Sequence, residues 1–262
     1  MSLLRRTYPG LLKTLSLLGF VLFWQAASRG RWDLGLRFQF VPAPTDVLRS
    51  AQDLFRSPLL LSHIRSSVLR VYAGFFVAAV LAVGLGLAVG RFKVARWLFM
   101  PTVELLRPIP AVAWIPLAIL MFPTPEESMV YITFVGAFFP VLLATIHGVE
   151  SVDHRYVYAS QTLGAKSKDV FVEVLLPGAL PSIVTGLSIG MGNSWFSLVT
   201  AEMISGQFGV GYYTWEAYTM QNYPEIVLGM IAIGVLGMGS SRLIVLAGRR
   251  VMPWHHMGGV IP

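Results

Sequence analysis

Cysteine is absent from the 262-residue sequence, which excludes disulfides, thiolate catalysis and cysteine-ligated metal centres. Charge is scarce. Asp, Glu, Lys and Arg together make up 13% of the chain, about half the usual share for a soluble domain. Acids are scarcer than bases, 13 against 20, leaving a formal net charge of +7. No glycine-rich loop closing on Lys and Ser or Thr is present, so this chain has no phosphate cradle with which to drive work by nucleotide hydrolysis. No interval between apolar runs holds a soluble catalytic domain, and the sequence reads as a non-enzyme. His255 and His256 are adjacent, but with no other convergent ligand they make no metal site.

What fills the chain instead is apolar: 55% of residues are hydrophobic, and the mean hydropathy is +0.66. The few charges are clustered, so long uncharged runs separate them: Thr14–Ser28, Val71–Gly90, Pro108–Pro125, Ser128–Val149, Val174–Ala201 and Ile226–Ser241. About 20 mostly apolar residues are needed to cross a bilayer core as a helix. These runs predict an all-α polytopic membrane protein, a single domain over 1–262 with six spans near 10–28, 69–90, 98–121, 129–149, 178–201 and 224–247. Arg5 and Arg6 before the first run resemble the start of a signal peptide. Bulky Trp24 and the lack of a small-x-small cleavage site argue for a retained helix. A soluble bundle is excluded, because a chain of this size cannot hide helices that are apolar all round.

Orientation follows from the loops. Arg91, Lys93 and Arg96 follow span two with no acid among them, and Arg249 and Arg250 follow span six. The connections at 123–128 and 205–224 carry acids alone, Glu126, Glu127 and Glu216. Alternation then places both termini and the 150–176 loop in the cytoplasm of a bacterial plasma (inner) membrane. Residues 29–65 break the pattern, with six arginines against three aspartates on the outer side. This segment is expected to fold as ordered external structure, with Thr45 or Asp46 capping a short helix over 47–54 that lies at the interface.

Glycines recur in spans two, five and six, and Gly86–Gly90 and Gly186–Gly190 are small-xxx-small pairs suited to close helix packing, within the subunit or at a dimer face. Span three is irregular: Pro108, Pro110 and Pro116 interrupt it, and Glu104 and Arg107 are spaced to share a helix face. Either they mark a polar interior or Arg107 snorkels to the interface. The 154–176 region reads as two short helices bent at Gly164, with Asp153 capping the first and Pro177 and Pro181 ending the second. It forms a surface knob, too short to span the membrane.

At this knob the chain resembles the permease subunits of ATP-binding cassette importers, the binding-protein-dependent inner-membrane component family. That family's signature is a Glu-Ala-Ala triplet, a following glycine and a later Ile-x-Leu-Pro. Tyr158-Ala159-Ser160, Gly164 and Val174-Leu175-Leu176-Pro177 stand in these places, with Tyr158 for the glutamate and Ser160 for the second alanine. Further stretches are similar to the nitrate, sulfonate, taurine and bicarbonate branch. They are Leu106–Pro110, Ala113–Leu117, Gly136–Pro140, Thr162–Ala165, Leu176–Pro181, Ala201–Ile204 and Pro253-Trp254.

The resemblance implies a type I importer permease fold and a homodimer with a second copy of the chain. Two cytoplasmic ATPase subunits would carry ATP and Mg, an extracytoplasmic solute-binding protein would deliver the solute, and this subunit would hold no cofactor. Membrane lipid is the surrounding partner, and no nucleic acid is involved. It makes Tyr158, Ala159, Ser160, Thr162, Leu163, Gly164, Ala165, Leu176 and Pro177 the coupling surface. It places the path among spans three to six, where the polar or large side chains are Glu104, Arg107, Trp114, Asn193, Ser194, Trp195, Ser197, Thr200 and Glu202. Glu202 is odd for an anion path: it pairs with a base, is neutral, or braces the external loop. Tyr212, Tyr213 and Trp215 form either an interfacial aromatic belt or an outer gate or binding-protein contact. An ion channel, a secondary transporter for a small anion and a non-transporting scaffold are the rival readings. The first lacks a carbonyl-rich filter signature and the second a repeat of span three's prolines.

Overall fold

The computed structural model describes residues 2–32, 38–55, 58–205 and 208–254. Arg37, Arg56, Gly206, Gln207, His255 and His256 lie outside the described residues. No strand occurs among the described residues, and the chain is all-α. Among the described residues five helices are long and apolar enough to cross a membrane, and a sixth crossing would be made if the bent pair Lys93–Leu106 and Ala111–Met121 is one broken span rather than a re-entrant loop.

Helix α1 (Ser2–Arg29) packs only its C-terminal turns on its neighbours, leaving Leu11, Leu15, Leu18 and Leu22 exposed. Its end is fastened to α2 (Pro44–Phe55): Trp24 Nε1 donates to the Pro42 carbonyl at 3.0 Å, and Arg29 reaches Asp46 at 3.1 Å. Arg49 lies 4.0 Å from the same Asp46. Part of the basic excess in residues 29–65 is thus compensated locally. Helix α2 is the short amphipathic helix expected there, with Val47 buried and Leu48 exposed, but it begins at Pro44, so Thr45 and Asp46 lie in its first turn rather than capping it.

The next helix, α3 (Pro58–Arg91), starts well before the expected 69. Arg65 and Arg70, which the loop count assigned to a connection or its edge, are helical, and Arg70 is buried. The uncharged run Val71–Gly90 marks only part of the helix, which continues through a charge that finds partners, Arg70.

Span three is broken rather than kinked. Helix α4 (Lys93–Leu106) ends at Arg107, a 3-10 turn covers Ala111–Trp114, and α5 (Ile115–Met121) leaves at 86° to α4. Pro108 and Pro110 have no N–H to donate, so the α ladder stops there and the Ile109 and Ala113 amides bond three residues back, to Leu106 and Pro110.

Helix α6 (Pro125–Glu150) starts cleanly. Thr124 Oγ1 accepts from the Glu127 amide, Pro125 holds the first helical position, and Glu126 and Glu127 lie in the first turn, where the helix dipole favours acids. It is the centre of the bundle, packed between α3 and α9 (Leu176–Ser205). Small residues make this possible. A Cβ on Gly186 would fall on the Ala144 side chain, one on Gly190 would meet Val141 at 2.7 Å, and one on Gly86 would fall on Thr145. These small-residue pairs therefore join helices within one subunit. Replacing Gly186 with leucine is expected to cost about 1–3 kcal/mol through overpacking, read as a lower thermal unfolding midpoint of the purified chain.

Helix α7 (His154–Thr162) forms the knob with α8 (Ser167–Asp169). The expected stop at Pro177 does not occur: a π turn over Val170–Leu175 runs directly into α9. Its wider i→i+5 spacing relieves the clash and missing donor that proline brings to an α ladder. Helix α10 (Val210–Thr219) lies across the opposite end, and α11 (Tyr223–Val251) packs on α9 and α10.

Candidate functional site

The break in span three opens a cleft of about 620 Å³ against α6 and α9. One wall is the proline segment from Arg107 to Val112. Gly136, Phe139, Pro140 and Leu143 line it from α6, and Asn193, Phe196 and Ser197 from α9. Three of the expected path residues, Arg107, Asn193 and Ser197, meet here. Ser197 sits where a Cβ on Gly136 would fall on its hydroxyl, so the glycine lets α9 approach closely beside the cleft. One guanidinium, one amide and one hydroxyl among apolar walls, with no carboxylate, can receive an anion through hydrogen-bond donors. Phe139 and Phe196 were missed because they sit inside uniformly apolar runs. The wall 108–112 was signalled by its prolines, which were read only as a distortion.

The remaining path candidates do not line this cleft. Glu104 is exposed on α4 and forms no ion pair with Arg107. Trp114 packs on the cluster of Val71, Ile115, Met129 and Leu198. Ser194 is fully buried and donates to the Thr133 carbonyl at 3.4 Å. Trp195 donates to Ser240 Oγ at 3.1 Å, facing α11. Thr200 returns its hydroxyl to its own helix at Phe196.

Glu202 lies beyond the cleft in a buried polar cluster. Its carboxylate accepts from Arg70 Nη1 at 2.9 Å, from Ser67 Oγ at 2.7 and 3.0 Å, and from the Gly211 amide at 2.9 Å. Arg70 also donates through Nε to Glu126 Oε2 at 2.7 Å, through Nη2 to Glu126 Oε1, and through Nη1 to the Phe208 carbonyl. Both the pairing and the bracing expected of Glu202 are present together. Gly209 has φ +150, and any Cβ there would fall on the Glu202 carboxylate.

The aromatic segment beside this cluster is divided. Tyr213 is buried, and burial pushes its phenol pKa upward so that it stays neutral. The His63 ring lies between 5.5 and 6.2 Å from those of Phe208, Tyr212 and Tyr213. Trp215 is exposed and packs on Tyr218 with ring centroids 5.4 Å apart.

At the opposite end stands the knob. Asp153 caps α7 by accepting from the Arg155 amide at 2.9 Å. The helix ends in a Schellman motif: Gly164 donates to the Gln161 carbonyl and Ala165 to the Ser160 carbonyl, with Gly164 at φ +87. Arg91 Nη2 donates to Ser167 Oγ at 2.9 Å, and Arg96 pairs with Glu150, fastening the knob's base. Tyr156, Tyr158 and Leu163 are exposed, Leu163 at 88%. Ala159, Thr162 and Gly164 are also exposed, whereas Ser160, Ala165, Leu176 and Pro177 are half-buried and support the knob from behind. Among the described residues no cluster of three or more His, Asp or Glu has metal-site geometry.

Residues 66–253 match the family model described as binding-protein-dependent transport system inner membrane component. The chain is 33% identical over 222 residues to a nitrate import permease protein of Synechocystis sp., covering 81% of each. It is 32% identical over 221 residues to a taurine transport system permease protein of Escherichia coli, covering 82% of this chain and 80% of that one. Its fold is similar to that of a solved amino acid ABC transporter, with a TM-score of 0.63 at 15% identity, covering 76% of this chain and 97% of that one.

Proposed function

The chain belongs to the family of binding-protein-dependent transport system inner membrane components, and from that premise we propose that it forms the path for a small anion in an ATP-driven importer. The observation carrying the anion is the cleft, in which Arg107, Asn193 and Ser197 present donors and no acid stands against them. Sulfonates such as taurine, nitrate and bicarbonate are the candidate anions, and permeases named for nitrate and taurine are comparably similar to this chain. In this reading two copies pair around the path. Both termini and the knob face the bacterial cytoplasm, and α10 faces outward toward a solute-binding protein. Two ATPase subunits, holding ATP and Mg, seat the knobs. Their closure moves the helices, and the solute changes only its position. Neutral donors in the cleft let an oxyanion pass without the desolvation cost of a second buried charge.

The test is uptake of labelled taurine, nitrate and bicarbonate by vesicles holding the complete transporter. Asn193→Leu combined with Ser197→Ala is expected to lower uptake about tenfold, the effect of two lost hydrogen bonds. Unchanged rate and half-saturation would remove these side chains from the path. Anion current without ATP would favour a channel instead.

A further inference from the structure

Three consecutive backbone amides at the start of α10 are each held by a side chain from elsewhere. The Gly209 amide donates to His63 Nδ1 at 3.0 Å, the Val210 amide to Ser67 Oγ at 2.9 Å, and the Gly211 amide to Glu202 Oε2 at 2.9 Å. The carbonyl just before them, that of Phe208, accepts from Arg70. His63, Ser67 and Arg70 are spaced four and three residues apart, so they form one stripe along α3. The first amides of a helix have no partner within it and are ordinarily left to a capping side chain or water; here the bundle supplies every one of these three. Glu202, which holds the third, sits in α9 five residues beyond Ser197, a rise of about 7.5 Å along the helix. Arg70 in turn is oriented by Glu126, exposed at the start of α6.

We propose that the His63–Ser67–Arg70 stripe and Glu202 are positioning residues that clamp α10 to α3 and α9, so that a load placed on α10 reaches the cleft. α10 carries the exposed Trp215–Tyr218 pair on its free side, where a partner can press. Its entry is bonded rather than hinged: His63, Ser67 and Arg70 tie it to α3, and Glu202 ties it to α9, the helix that presents Asn193 and Ser197. Glu126 acts at one remove, by aiming the Arg70 fork. The role of this clamp in responding to a partner rests on the reading above.

Two measurements test it. The chain has no native cysteine, so spin labels at Tyr218→Cys and Glu127→Cys report the placement of α10 against α6 in membranes of the chain alone. Ser67→Ala, and separately Glu126→Gln, should broaden that distance distribution and shift it to longer values. A distribution as narrow as in the unaltered background for both variants would overturn the clamp, whatever the partners do. In the complete transporter, Ser67→Ala should reduce maximal stimulation of ATP hydrolysis by the binding protein about tenfold, equivalent to ~1.4 kcal/mol. The half-saturating concentration of binding protein and the basal rate should stay unchanged. Equal loss of basal and stimulated rates would mean a merely structural role and would overturn the transmission. Absence of stimulation in the unaltered transporter would instead count against the importer reading, while the label distances still decide the clamp.

Discussion

Arg70→Ala should destabilise the chain by about 3–5 kcal/mol, the usual cost of stranding one member of a buried ion pair. Glu202 is fully buried, and without the guanidinium it keeps only Ser67 and the Gly211 amide as donors. The Phe208 carbonyl and the Glu126 carboxylate lose their partner in the same step. Thermal unfolding of the purified chain in detergent measures the loss. Arg70→Lys should fall between the two, because an ammonium keeps the charge but cannot present the planar fork that meets Glu126 with two nitrogens. Arg70→Met with Glu202→Leu should recover part of the stability by removing both charges, but not all of it. Ser67 and the Gly211 amide would then lose their shared partner, and Glu126 would remain unpaired. Full stability in Arg70→Ala would show that the cluster is not a buried ion pair in the membrane.

This cluster also marks where sequence reading stopped. Glu202 stands out in an apolar run, and its pairing or bracing was legible from that isolation alone. Its partner was not: Arg70 is 132 residues away in sequence, and it looked like the charged edge of a span. Contacts between distant helices depend on packing, which a local pattern does not encode. The five long apolar helices were legible because the bilayer imposes a length on each apolar run. Gly164 was legible for a comparable reason, since ending a short helix between polar flanks favours a residue free to take positive φ. The proline cluster predicted a distortion in span three. The 86° turn and the cleft beside it required knowing which neighbours fill the gap. Pro177 misled because a π turn, which no composition signal announces, carries the helix past it.

Leu163→Glu is expected to abolish ATP-driven uptake while leaving the chain inserted and folded, a loss of at least about 100-fold. Leu163 is 88% exposed, so within the subunit there is little packing to lose. A large apolar side chain so placed, beside exposed Tyr156 and Tyr158, forms a surface suited to an apolar pocket on a partner. A carboxylate buried there without a counter-charge would oppose docking strongly. Gly164→Val examines the same knob through its backbone. Nothing lies within 4 Å of the position a Cβ would take, so no clash with the bundle arises. The strain comes from φ +87, and holding a branched residue there costs about 1–2 kcal/mol. That cost can be relieved by unwinding the end of α7, which moves Leu163 and the two tyrosines relative to the base fixed by Arg91 and Ser167. The two variants therefore separate docking from shape. Leu163→Glu should prevent the ATPase subunits from co-purifying with the permease. Gly164→Val should retain them but hydrolyse ATP with little uptake. Normal ATP-driven uptake in both would remove the knob from the coupling path, whereas failure of either to insert would make it part of the fold instead.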